Sequence, residues 1–200
     1  MHKLPAMHVG ADGWIDAMRR QPSPNIDERP EGMPIDLIVL HNISLPPAQS
    51  EADFGTDDVL RFFTNTLDCD AHPYFDQLRG VRVSAHFFIR RTGECVQFAS
   101  CDARAWHAGL SDFFGRPRCN DFSVGIEIEG TDALPFTPEQ YTATASLVRA
   151  ICAAYPIAAI AGHSDIAPGR KTDPGPCFDW ALLRRLGAFD AALFPYQPAR

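Results

Sequence analysis

The sequence predicts one α/β domain, a central mixed β-sheet flanked by helices with its functional site at one edge of the sheet. Three observations carry this. Apolar or alternating segments of strand length recur at 36–41, 83–90, 94–98, 122–129 and 157–162. Helix-start signals fall between and after them. The length, 200 residues, suits a single core and demands no second one.

In chain order, residues 1–34 are proline-rich and polar, with a short amphipathic stretch around Trp14–Arg20, and read as an ordered arm on the domain. The run DLIVLH at 36–41 is a buried strand. Thr56, Asp57 and Asp58 open a helix whose apolar face is Val59, Leu60, Phe62 and Phe63. Residues 83–90 and 94–98 form a hairpin around Arg91-Thr92-Gly93. In FSVGIEIE, Phe122, Val124, Ile126 and Ile128 face one way and Ser123, Gly125, Glu127 and Glu129 the other. Thr137-Pro138-Glu139-Gln140 combines an N-cap, a first-turn proline and a capping-box glutamine, starting a helix that Pro156 stops. IAAIAG at 157–162 is another strand, and a last helix spans about Asp179–Leu186.

A net charge of −7 lacks the dense basic stripe of a nucleic-acid groove. No run approaches the roughly 18 apolar residues of a membrane span. The start, MHKLPAMHVGADGW, has no apolar stretch of signal-peptide length. Cys69, Cys95, Cys101, Cys119, Cys152 and Cys177 contain no CxxC pair, so six reduced thiols in a cytoplasm are expected.

The chemistry-bearing residues cluster at strand ends, where open α/β sheets build their sites. His41 closes one apolar strand and His163 another, and Asp173 follows in the loop HSDIAPGRKTDPGP. Two imidazoles and a carboxylate suit zinc with a fourth position open. Spacing alone also allows structural histidines, since no short zinc signature is present. Glu127 and Glu129 share a strand face, either as a general base or as a solvated surface. Lys171 lies two residues before Asp173, on the same side of an extended segment, with a plain surface lysine as the alternative. His2 and His8 read as surface residues, and His72 as a turn residue.

The strings VLHNISLPP, HPYFDQLRGVRVSAHFFIRRTGE, RAWHAG, RCNDFSVGIEIEGTD and AGHSDIAPGRKTDPGPCFDW resemble the AmpD-type N-acetylmuramoyl-L-alanine amidases. These belong to the zinc amidase family shared with phage amidases and peptidoglycan-recognition proteins. The likeness runs in order from GW…RRQPSPN to FDW at residue 180, nearly the whole chain. It implies one Zn²⁺ per chain held by His41, His163 and Asp173, with the aspartate form of the third ligand. It matches the family's glutamate to Glu127 rather than Glu129, as catalytic base, and the family's lysine to Lys171. The fold implied is again the mixed sheet, with the zinc site at one edge.

The resemblance further implies cleavage of the amide between N-acetylmuramic acid and L-alanine. In a cytoplasm the substrates would be 1,6-anhydro-muramyl peptides of wall recycling, with no nucleic-acid, membrane or obligate protein partner. Arg82, Arg116 and Arg118 flank the matching segments and are candidates for binding peptide carboxylates, with solvated arginines as the alternative. Asn42, Trp106 and His107 are expected to line the substrate pocket, though Trp106 reads equally as core. His86 shares a strand face with Ser84 and takes no catalytic role. Two rival classes remain on the same fold. A non-catalytic peptidoglycan-binding protein would typically lack a ligand, and here all three stand. A secreted or phage lytic amidase would attack polymeric wall.

Overall fold

A computed structural model of the chain describes residues 6–16 and 18–197, so His2 lies outside the described residues. Its main sheet has six strands. They are β1 (Arg19–Arg20), β3 (Leu37–Ile43), β4 (Phe87–Ile89), β5 (Cys95–Gln97), β9 (Ser123–Glu129) and β10 (Ala159–Gly162), in the spatial order β1-β5-β4-β9-β3-β10. The pairs β1–β5, β4–β9, β9–β3 and β3–β10 are parallel and β4–β5 is antiparallel, so the sheet is mixed. Two small ribbons complete the strands: β2 (Ile26–Asp27) with β6 (Arg104–Ala105), and β7 (Asp112–Phe113) with β8 (Arg116–Pro117).

Helices cover both faces, because both carry apolar side chains. Ile38, Leu40, Phe87, Ile89, Val124, Ile126 and Ile128 pack against α2 (Pro138–Ala154) and α4 (Trp180–Gly187). On the other face Phe88, Val96 and Phe98 pack on α1 (Asp58–Phe63) through Leu60 and Phe63, while Leu37, Val39 and Ala161 pack on Ala108, Cys119 and Ile166. The α2 start is the expected capping box: Thr137 Oγ1 accepts from the Gln140 N–H at 3.2 Å, and the Thr137 N–H donates to Gln140 Oε1 at 3.0 Å. The helix ends at Ala154, ahead of Pro156, since the residue before a proline disfavours helical backbone.

Three expectations need correction. Phe122 does not join Val124, Ile126 and Ile128; it closes a 3-10 turn with ψ 11°, which breaks the alternation and sends its ring to the opposite face. The face of Glu127 and Glu129 is not solvated, for the two residues are 9% and 3% exposed. Around Trp14–Arg20 the described residues form no helix: Ile15 is buried and bridges to Val9, then β1 begins. In addition, β3 runs past His41 to Ile43. His72 caps a 3-10 helix, accepting from the Tyr74 N–H at 3.1 Å. No helix among the described residues is long and apolar enough to cross a membrane.

Candidate active site

The strand register builds the site. Across β3 and β9, His41 stands opposite Glu127; across β3 and β10, Leu40 stands opposite Gly162, so His163 comes next to His41. Three residues from distant parts of the chain thus form one row at the carboxyl ends of three parallel strands, toward the β10 edge. His163 opens a one-turn helix, α3 (His163–Ile166). Asp173 returns to this row on the following loop. The Ser164 N–H donates to the Asp173 carbonyl at 2.9 Å, and Pro174 packs where a Cβ on Gly162 would meet it at 2.8 Å. Only glycine at 162 lets the loop come this close.

His41 Nδ1 and His163 Nδ1 lie 2.9 Å apart, and Asp173 Oδ2 is 3.0 Å from the first and 3.1 Å from the second. Ligands about 2.0–2.1 Å from a tetrahedral zinc stand roughly 3.3–3.4 Å from one another, so this triangle is close to the face such an ion needs. His163 Nε2 faces the Ala108 carbonyl at 3.1 Å. A carbonyl only accepts, so Nε2 carries the proton and Nδ1 presents its lone pair to the cluster. Burial, and then His163, push His41 down to about 4, which keeps its ring neutral. Two imidazoles and a carboxylate converging with lone pairs inward fit a cation.

The two glutamates have different surroundings. Glu129 accepts from the Gly55 N–H on Oε1 and from the Arg91 N–H on Oε2, both at 2.8 Å, so it ties two loops together. Glu127 Oε1 is 4.0 Å from His41 Nδ1, and its buried Oε2 has no hydrogen-bond partner among the described residues. Burial and then the Asp173 carboxylate push Glu127 well above the ordinary carboxylate range, while Lys171 pulls the other way. Such a carboxyl is suited to exchanging a proton.

A cleft of about 720 Å³ opens over the row, with Glu127, His163, Lys171 and Asp173 among its lining residues. Of the sequence candidates, Asn42, Trp106 and His107 also line it, while Arg82, Arg116 and Arg118 do not. Asn42 is already engaged, its Nδ2 donating to Asp132 Oδ1 at 2.8 Å and to the Pro174 carbonyl at 3.0 Å, which holds the Asp173 loop. Arg116 bonds Asp36 at 2.9 Å and lies over the Phe122 ring, and Arg118 bonds Asp121 at 2.9 Å. Arg82 is exposed, between the lining residues Val81 and Val83.

The sequence reading missed Arg170, which lines the cleft and donates to the carbonyls of Ala108 and Leu110. It also missed Ser123 and Asn120 behind the site. Ser123 had a signal, its place on the Glu127 face of the alternation; Asn120 had none.

The fold and this donor set define a candidate metal-dependent hydrolase. The family model for N-acetylmuramoyl-L-alanine amidase matches residues 31–176, and the chain belongs to that family. The 1,6-anhydro-N-acetylmuramyl-L-alanine amidase AmpD of Escherichia coli (strain K12) is 53% identical over 176 residues, 87% of this chain and 94% of that protein. A crystal structure of a Se-Met AmpD derivative superposes with a TM-score of 0.83 at 52% identity, over 88% of this chain and 97% of that one. The E. coli amidase AmiD, in complex with the substrate anhydro-N-acetylmuramic acid-L-Ala-D-gamma-Glu-L-Lys, is 28% identical, with a TM-score of 0.55 over 91% of this chain and 66% of that one.

Proposed function

We propose that this chain hydrolyses the amide between 1,6-anhydro-N-acetylmuramic acid and L-alanine in soluble muropeptides, as part of peptidoglycan recycling. The observation that carries the reading is the row of His41, Glu127 and His163, with Asp173 closing on it beneath an open cleft, in a chain half identical to AmpD. His41, His163 and Asp173 would hold one Zn²⁺. Zinc held there supplies a Lewis acid that polarises a carbonyl and lowers the pKa of water.

The chain's own residues do the rest. Glu127, with one carboxylate oxygen unpartnered, takes a proton from the attacking water and returns it to the departing alanine nitrogen. Lys171, at the exposed side of the cleft, offsets negative charge developing on the amide oxygen. Trp106 gives the cleft an apolar wall. Arg82 and the largely exposed Arg118 keep the role of meeting peptide carboxylates, whereas Arg116 is committed to Asp36.

The substrate reading is tested by incubating the protein with soluble anhydro-muropeptides and with intact sacculi. Release of L-alanine-terminated peptide is expected from the first and little from the second; the opposite preference makes it a lytic wall amidase. Lys171→Ala is expected to lower turnover ~10²–10³-fold, roughly 3–4 kcal/mol, with zinc content and KM nearly unchanged. A raised KM at constant kcat would instead make Lys171 a carboxylate binder.

A cytoplasmic location completes the proposal. It is supported by six cysteines that are all free, as a reducing compartment keeps them. Thiol titration of the denatured protein, isolated without oxidant, should count six groups; four or fewer would contradict the assignment.

A further inference from the structure

We infer that His107 is a positioning residue, which fixes the ring state of His41 through a one-way hydrogen-bond chain from His41 to His107 to Ser123 and the Cys119 carbonyl. The inference rests on His41 being a metal ligand. Its links are short: His41 Nε2 to His107 Nδ1 at 3.0 Å, His107 Nε2 to Ser123 Oγ at 3.2 Å, and Ser123 Oγ to the Cys119 carbonyl at 2.6 Å.

The far end sets the direction. A carbonyl cannot donate, so the Ser123 hydroxyl donates to it and offers its oxygen to His107. His107 Nε2 therefore carries that ring's proton, and its Nδ1 accepts. His41 must then carry its proton on Nε2, which leaves Nδ1 bare toward His163 and Asp173. Without the chain, His41 is free to place its proton on Nδ1, where it would have to be expelled before a cation could bind.

The surroundings hold the His107 ring in register. Asn120 Oδ1 accepts from the backbone N–H groups of His107 and Ala108 at 3.1 and 2.8 Å. The ring lies flat against β9 where Gly125 stands, and a Cβ there would meet its Cγ at 2.4 Å. This accounts for a glycine between Ser123 and Glu127 in a strand that is otherwise β-branched or polar. With both ring nitrogens bonded to protein, His107 has no hydrogen-bonding atom left for substrate, although one edge of it lines the cleft.

Zinc affinity by chelator competition, together with ¹⁵N imidazole spectra of the zinc-loaded protein, tests this. In the wild type, His107 should be protonated at Nε2 only and His41 at Nε2. His107→Leu should weaken zinc ~10–100-fold. His107→Asn, whose side-chain oxygen can replace the accepting Nδ1, should recover part of that, and Gly125→Ala should mimic the leucine variant without removing any polar group. Zinc affinity within twofold of wild type in a folded His107→Leu protein, or a proton on His107 Nδ1 in the wild type, would overturn the inference. If His107→Leu does not fold, Ser123→Ala decides: it should show both His107 ring forms and weaker zinc, and unchanged spectra would refute the chain. A wild type that binds no zinc sinks the metal reading itself, which no His107 variant is needed to reveal.

Discussion

Removing any one of the three converging donors should abolish metal and activity together. His41→Ala, His163→Ala and Asp173→Ala are each expected to reduce zinc from about one per chain to near zero under dilute chelator, with amidase activity falling to background. The reason is the geometry: the donor atoms stand 2.9–3.1 Å apart on three separate segments, so the residues beside a lost donor in the chain do not replace it. Among the described residues they form the one group of this kind, which argues against a compensating site. Metal analysis and activity on the same samples check this. Full activity in a demonstrably zinc-free preparation would end the metal hypothesis.

Glu127→Gln should separate chemistry from metal binding. Glutamine keeps the shape but cannot accept a proton, so turnover is expected to fall ~10²–10⁴-fold with zinc retained. Glu129→Gln should behave differently, for a structural reason. Both Glu129 oxygens accept backbone N–H groups, from Gly55 and Arg91, and an amide would turn one acceptor into a donor facing a donor. About 1–3 kcal/mol of stability should be lost, seen as a lower Tm, while turnover in the folded enzyme changes little. Equal loss of turnover in the two variants, or a reversed order, would move the base away from Glu127.

These two glutamates show where reading the chain runs out. They stand two residues apart on one strand face, with the same residue type and the same alternation, and no local rule separates them. What separates them is packing on β9: loops from 55 and 91 reach Glu129, while the cleft reaches Glu127. His107 is a similar case. The sequence presents it as a pocket residue beside Trp106, and only the placement of His41 and Ser123 shows both of its nitrogens occupied. Arg116 marks the opposite case. Charge and nearness to matching segments suggested carboxylate binding, but Arg116 lies against Asp36, 80 positions away, and a cation's partner at that range leaves no trace in local sequence.

What the sequence determined by itself was the main central strands, the longer helices and the resemblance. Strand-length apolar runs, the Thr137 capping box and the stop at Pro156 act over a few residues, so they are legible without a fold. The order of the strands, which sets β9 between β4 and β3, was decided by tertiary structure. So was the register that puts His41 opposite Glu127 and next to His163. A register slip of one residue would turn these side chains to the other face of the sheet, and what prevents it is burial. Ile38 and Leu40 are held toward α2, and Leu37 and Val39 toward the Ala108–Phe122 segment, so His41 has one direction left.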